Sequence, residues 1–315
     1  MNPPPLFIGI GHASRRKWNQ NVCGDVILSM RLTDEDRVIA VLSDGLGSGV
    51  KAHILATMTA RMALRFAAAG GDFLRAAGVM MEALPVCRER QFSYATFSIV
   101  ECDQDGAMRV VEEGNPECLV MRGGRPLRIP HRRMASRRFP ERSLLVSETR
   151  LEPGDRLIVC SDGVTQAGMG SERYPAGWGT EGLLGYLADK LEKDPAVSSR
   201  ELGREVLAQA ARRETGGLVQ DDMSCLVLYL RKPRRLLVMT GPPYDRERDP
   251  EYAALLRSFP GRKVVCGGTT AELVSREWGR RLEMDGAAQN QAVPPRYRIE
   301  GVDLVTEGVL TLEQA

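Results

Sequence analysis

Two apolar runs in this chain end in the same three residues. The run at 38–42 leads into Ser43-Asp44-Gly45, and the run at 157–160 into Ser161-Asp162-Gly163. The first run is mostly β-branched or apolar and shows no alternation, which reads as a buried strand. Such a strand delivers Asp44 to the rim of a sheet. There Gly45, Gly47 and Gly49 let the backbone come close to a ligand, because they carry no Cβ. The next segment, 50–69, has apolar residues at helical spacing and no proline, and it predicts a long amphipathic helix.

A glycine-rich turn between strand and helix can cradle phosphate, but neither standard pattern fits. A dinucleotide fingerprint needs a third glycine or alanine where Val50 stands, and a P-loop needs Gly-Lys-Ser/Thr where Gly49 is followed by Val50. The remaining use is a carboxylate presented to a cation, with glycine carbonyls free to join. That use predicts partner carboxylates at other strand ends. Asp25 near the start of a strand at 22–28, Asp162, and the pair Asp221-Asp222 ahead of a strand at 225–230 meet the requirement.

Composition narrows the setting. A length of 315 residues predicts two domains, or one large one with an appendage. With 43% hydrophobic and 27% charged residues, the chain can bury a core. A net charge of +2 gives no general attraction to nucleic acid or membrane. The seven cysteines (23, 87, 102, 118, 160, 225 and 266) form no Cys-x-x-Cys pair, which favours a reducing cytoplasm. Three scattered histidines (12, 53 and 131) argue against zinc. Prolines stand where a basic-then-apolar leader would, and no apolar run reaches membrane-spanning length. The expectation is a soluble, cytoplasmic protein.

In chain order, a first strand is expected at 6–11, a polar basic loop at 14–21 and a hairpin turn at 33–37. A second helix is expected at 72–90, then antiparallel strands at 94–101, 108–112 and 118–122. Eight arginines (122, 125, 128, 132, 133, 137, 138 and 142) fall in 122–142. They read either as a solvated, partly mobile loop or as a docking surface for an acidic or phosphorylated partner. A single phenylalanine, Phe139, is no aromatic interleaving, so single-stranded nucleic acid is not favoured. Helices follow near 180–192 and 198–213.

The character changes at Arg231-Lys232-Pro233, and a domain boundary is drawn there: 1–232, then 233–315. The second part reads as a small α/β unit, with strands at 236–240, 263–266 and 302–305 and helices at 250–258 and 271–282. A loop at 286–296 and a short closing helix complete it. Gly267-Gly268-Thr269-Thr270 ahead of a helix is either an anion site on free backbone N–H groups or a tight turn with a threonine N-cap.

Carboxylates and carbonyls are hard oxygen ligands suited to Mg²⁺ or Mn²⁺. Brought together, Asp25, Asp44, Asp162 and Asp221 would raise one another's pKa, a penalty that divalent cations remove. Two metals about 4 Å apart would turn a bridging water into a nucleophile for in-line displacement at phosphorus. A lone Asp-Gly is more often a hairpin turn. The recurrence of strand-Ser-Asp-Gly, together with the Asp-Asp pair, weighs against that reading here.

Cys23-Gly24-Asp25, Ser43-Asp44-Gly45-Leu46-Gly47-Ser48-Gly49 with Ala52, Ser161-Asp162-Gly163-Val164-Thr165 and Asp221-Asp222-Met223-Ser224 occur in that order. Over about residues 6–230 the chain closely resembles the metal-dependent type-2C (PPM) serine/threonine protein phosphatases, specifically their bacterial SpoIIE-like branch. The resemblance implies an α+β fold, a four-layer α-β-β-α sandwich of two antiparallel sheets flanked by helices, with two Mn²⁺ or Mg²⁺ ions between the sheets. It implies that Asp44 bridges both metals and the Gly45 carbonyl binds one. Asp162 and Asp221 would hold the first metal, Asp25 would serve the second, and Asp222 would support the site. The catalytic set is then Asp44, Asp162 and Asp221. Gln166 stands where this branch commonly has glutamate. Arg15 or Arg16 is a candidate for substrate phosphate. The implied substrate is phosphoserine or phosphothreonine on a regulatory, anti-anti-sigma-like protein partner. Two alternatives stay open: a phosphatase of a small phosphorylated metabolite, and a non-catalytic binding module that keeps the fold.

Overall fold

Strands that are apolar on both faces need a packed layer on each side, and the first of the two units into which the chain divides, Met1–Lys232, supplies those layers. The structure, a computed structural model, describes residues 6–69, 73–83, 95–136, 142–284 and 296–308. The first unit runs β1 (Phe7–Arg15), β2 (Val26–Leu32), β3 (Arg37–Gly45), α1 (Gly49–Ala68), α2 (Phe73–Ala83), β4 (Ala95–Asp103) and β5 (Ala107–Glu113). It continues through β6 (Leu119–Arg122), β7 (Arg125–Leu127), β8 (His131–Ala135), β9 (Ser143–Arg150) and β10 (Arg156–Cys160). The short α3 (Asp162–Thr165), then α4 (Gly179–Lys193), α5 (Ser199–Ala211) and β11 (Met223–Arg231) complete it.

Among the described residues these strands form two antiparallel sheets, ordered β1-β11-β10-β6-β7 and β2-β3-β4-β5-β9-β8. The period of two along each central strand sorts side chains between layers. In β3, Val38, Ala40 and Leu42 meet Leu157 and Val159 of β10 and Leu226 and Leu228 of β11 in the core between the sheets. Ile39 and Val41 turn the other way, onto Ala56, Ala60 and Ala63 of α1. Cys225 and Val227 of β11 pack under Leu202 and Val206 of α5 and Leu187 of α4. Three apolar layers thus separate four layers of structure, the α-β-β-α sandwich expected. A Leu→Ala substitution in the middle layer, such as Leu157→Ala, would cost about 2–5 kcal/mol.

Local details differ from the expectations. β1 continues to Arg15, because its whole length pairs with β11 through Ser14↔Ser224 and Arg15↔Met223. Tertiary pairing overrides the polar composition that predicted a loop from residue 14. β2 begins at Val26, so Asp25 precedes the strand. Periodicity assigned nothing to β9, which pairs with β5 on one edge and β8 on the other and is buried without alternation over residues 144–147. The arginine-rich stretch is not simply a loop: β7 and β8 lie in it. Arg122 is tied to Asp155 and Glu152, and Arg142 is buried against Glu113. Arg137 and Arg138 fall outside the described residues, as does the helix expected beyond Ala83.

The second unit, Pro233–Ala315, contains β12 (Leu236–Thr240), α6 (Asp249–Ser258), β13 (Arg262–Cys266), α7 (Gly268–Trp278), β14 (Glu283–Met284), β15 (Arg296–Arg298) and β16 (Leu304–Thr306). β12, β13 and β16 are parallel, and β15 and β14 extend the sheet antiparallel. Val265, Leu256 and Leu273 anchor its own core. α7 starts three residues earlier than its apolar periodicity predicts and stops at Gly279, whose φ of 62° closes the helix in the left-handed region. The closing helix expected near the terminus lies outside the described residues, as does most of the loop at 286–296. No helix among the described residues is long and apolar enough to cross a membrane.

Candidate active site

Asp44 is the penultimate residue of β3, opposite Thr96 of β4. At Gly45 the chain has no room for a side chain, since a Cβ would lie 2.0 Å from the Ala52 carbonyl oxygen in α1. The glycine therefore lets the helix start press against the strand end. The second Ser-Asp-Gly repeats the device. Ser161 caps α3, Asp162 opens it, and a Cβ on Gly163 would stand 2.2 Å from the Asp222 carbonyl oxygen. In both places the motif marks a strand end crossed at close range by another piece of backbone, which sequence alone could not reveal.

Asp44, Gly45, Asp162 and Asp221 line one cleft of about 990 Å³, together with Lys17 and Arg133. Asp25 and Asp222 do not line it; each is only 3% exposed. Asp25 accepts a hydrogen bond from the Ser161 hydroxyl at 2.7 Å, and that same oxygen of Ser161 accepts from the Ser224 N–H at 2.9 Å. Asp222 accepts from the Lys17 N–H at 2.9 Å, and Asp221 accepts from the Asp222 N–H at 2.9 Å. The Gln166 amide donates to Asp162 at 3.0 Å. One oxygen of Asp25 (Oδ1) and one of Asp222 (Oδ2) is buried without a hydrogen-bond partner among the described residues.

This concentration of carboxyl groups is electrostatically expensive. Burial, followed by the charges of Asp25, Asp162 and Asp221, pushes Asp44 up to about 10. Burial lifts Asp25 to about 7, opposed by hydrogen bonds from Ser161 and Ser224 and reinforced by Asp222 and Asp221. Asp221 is raised mainly by burial. Among the described residues no three His, Cys, Asp or Glu side chains stand close enough together to hold a metal ion. The donors are arrayed around the cleft, not closed into a cage. In kind they fit a hard divalent cation: every donor is oxygen, two carboxylate oxygens are buried and unsatisfied, and the clustered negative charge is what such an ion offsets.

The cationic groups differ from those expected. Neither Arg15 nor Arg16 lines the cleft, and the Arg16 guanidinium donates to the Asn21 carbonyl at 3.3 Å. Lys17, Arg133 and Arg142 line it instead. Arg142 is fixed by a two-pronged pair with Glu113, at 2.7 and 2.8 Å. Sequence reasoning also passed over a polar chain beside the cleft. Thr96 donates to Asn115, Asn115 to Ser98 at 3.0 Å, and Ser98 to the buried Glu112 at 3.3 Å. Its only signal was Glu112-Glu113-Gly114-Asn115 at the end of the strand expected at 108–112. Gly267-Gly268-Thr269-Thr270 belongs to the second unit, with Gly267 capping α7 and Thr270 buried in its first turn.

The chain is 24% identical over 224 residues to stage II sporulation protein E of Bacillus subtilis (strain 168), a match covering 71% of this chain and 26% of that protein. It is 22% identical over 224 residues to the protein of the same name from Priestia megaterium, covering 36% of it. The matches thus span about a quarter to a third of these relatives' length. Among solved structures, the PP2C phosphatase domain of Bacillus subtilis SpoIIE with a fragment of its regulatory domain superposes with a TM-score of 0.59 at 21% identity, covering 73% of this chain and 65% of that one. The SpoIIE phosphatase domain alone gives 0.54 at 19% identity, covering 76% and 99%. The RsbU and RsbW domains of a Mycobacterium tuberculosis protein give 0.57 at 18% identity, covering 80% and 70%. The sequence profile of the stage II sporulation protein E (SpoIIE) family matches residues 34–231; the chain belongs to that family, and its first unit has the fold of the PP2C phosphatase domains it superposes on.

Proposed function

We propose that this chain is a Mn²⁺- or Mg²⁺-dependent phosphatase acting on phosphoserine or phosphothreonine of a regulatory protein. The observation that carries the reading is the meeting of Asp44, Gly45, Asp162 and Asp221 on one cleft although they come from distant parts of the sequence. Asp44, the Gly45 carbonyl, Asp162 and Asp221 would hold two divalent ions, with Asp25 serving the second and Asp222 supporting the site. Bound there, such ions supply a water of lowered pKa as nucleophile and offset the charge on the phosphoryl oxygens. Ser161 aims Asp25 by donating to it and opposes the rise that burial causes, and the Lys17 N–H aims Asp222. Lys17 and Arg133 face the same cleft and would receive phosphoryl oxygens as charge-assisted donors.

A protein substrate is supported by the company this fold keeps. One structural relative is a domain of a cell-fate determinant, and another pairs an RsbU with an RsbW domain in one chain. An anti-anti-sigma-like phosphoprotein is the corresponding partner class. The reading invokes neither nucleic acid nor membrane, and places the protein in the cytoplasm.

Hydrolysis of p-nitrophenyl phosphate, with and without Mn²⁺, by wild type and Asp44→Asn tests the proposal, followed by phosphoprotein and phosphometabolite panels. The expected result is Mn²⁺-dependent turnover that disappears in the variant and favours phosphoprotein. Turnover unaffected by chelation, or confined to metabolites, would overturn it.

A further inference from the structure

In the second unit, helix α7 starts without a cap of its own. The Gly267 N–H donates to the Thr306 carbonyl of β16 at 2.7 Å, and the Gly267 carbonyl accepts from the Ala271 N–H at 3.0 Å, closing the first helical turn. Between them the N–H groups of Gly268, Thr269 and Thr270 have no acceptor among the described residues. A serine, threonine, aspartate or asparagine at the N-cap ordinarily supplies one. Here the N-cap is Gly267 at φ 108°, a conformation that residues with a Cβ rarely adopt. The sharp turn from β13 into α7 therefore excludes the capping side chain. No acidic residue stands in the first turn to offset the positive end of the helix.

Thr270 adds an independent observation. It is only 1% exposed, yet its hydroxyl makes no hydrogen bond among the described residues. Its oxygen is the one atom, chain neighbours apart, within 4 Å of the point where a Cβ on Gly267 would stand, at 3.7 Å. That point is where a capping side chain would begin, so the hydroxyl faces the space the missing cap would fill. Buried hydroxyls are ordinarily partnered, and this one finds its partner only when an acceptor enters that space. The space is open to solvent, since Gly267 and Gly268 are half-buried and Thr269 is exposed. It also lies at the carboxyl ends of three parallel strands, where Thr240, Cys266 and Thr306 stand side by side. Open α/β sheets bind their ligands outside those ends.

We propose that Gly267-Gly268-Thr269-Thr270 is a phosphate site: a phosphate dianion, free or esterified to a small molecule, accepts from the three N–H groups and from the threonine hydroxyls. Donors without acceptors suit a fully ionised oxyanion and no cation. The inference stands on the second unit and does not rest on the phosphatase reading.

The test titrates inorganic phosphate and phenyl phosphate, in separate arms, into the isotopically labelled full chain with EDTA present. Amide shifts of Gly268, Thr269 and Thr270 report on this site and not on the carboxylate cleft. We expect saturable shifts with a Kd of about 1 mM. Tighter binding of the ester would assign the site to a phosphorylated small molecule, and tighter binding of phosphate to the free ion; either result supports the site. Gly268→Asp is the main variant. A Cβ there meets nothing within 4 Å, and an acid in the first turn suits the helix, so the variant should melt no lower than wild type. Its carboxylate should nevertheless weaken phosphate binding about tenfold or more. Thr270→Val, which removes an unpartnered hydroxyl, should bind severalfold more weakly at an undiminished melting temperature. Absence of saturable shifts at these amides, or wild-type affinity in Gly268→Asp, would overturn the proposal. Wild-type affinity in Thr270→Val would overturn the part given to its hydroxyl.

Discussion

The ends of the central strands and the open edge at β7 and β8 belong to the same sandwich, yet they handle charge in opposite ways. At the strand ends of β3, β10 and β11, acidic groups are gathered, buried or half-buried, and left short of partners. At the edge, arginines are either neutralised, as Arg122 is by Asp155 and Arg142 by Glu113, or held out in water, as Arg132 is. Charge that a fold places for its own stability finds a counter-charge within the fold. Charge that it gathers without one, at a cost, calls for a partner from outside.

The sharpest break of this contrast is Asp44→Asn. Removing an oxygen donor from the cleft should lower Mn²⁺-dependent turnover by roughly a thousandfold, about 4 kcal/mol. The metal-free protein should unfold at no lower urea concentration than wild type, because burial and the neighbouring carboxylates already hold the Asp44 carboxyl protonated and asparagine replaces a neutral group. Concomitant loss of stability would mean that Asp44 is structural. At the edge, Arg142→Ala strands Glu113 in a buried position, where the two side chains are only 4% and 8% exposed. Unfolding free energy should drop by about 3–5 kcal/mol.

Glu112 sharpens the comparison, because it is a buried carboxyl between the two regions. Burial raises it from 4.5 to about 7 against hydrogen bonds from Cys118 and Ser98. The folded chain then holds a proton that the unfolded chain releases, so stability falls as pH rises from about 4.5 to about 7. Glu112→Gln should flatten that slope, by on the order of 2 kcal/mol across the window. An unchanged urea midpoint against pH would show that Glu112 ionises as freely as in water. Smallest is Ser161→Ala, which removes the hydroxyl between Asp25 and the Ser224 N–H. The cost should be about 1–3 kcal/mol by thermal unfolding, together with weaker Mn²⁺ binding by calorimetry. Stability and metal affinity both at wild-type levels would mean that Asp25 is aimed by something else.

Much of the fold was legible because its central strands are apolar without alternation. β3, β10 and β11 and helix α1 could be read within a residue or two, since burial on both faces or on one helical face leaves a direct record in residue type. β8 and β9 could not. Their strand character depends on neighbours brought in from elsewhere, and arginine-rich composition looks like loop. β1 ran past its polar residues for the same reason. At the cleft, the sequence nominated the carboxylates through a repeated motif, but basic residues carry no such mark. Arg15 and Arg16 stand out in the sequence while Lys17 and Arg133 do not, and only the folded chain shows that the latter two line the cleft.

The sequence by itself determined which segments must be buried, which strand ends carry acid, and that glycine follows two of those acids. Those are local properties, written in residue type and spacing. The tertiary structure decided which ends share a cleft, which oxygens are left without partners, and which edge stands open beside them. Those depend on sheet order and register, which are set by contacts between residues far apart in the chain.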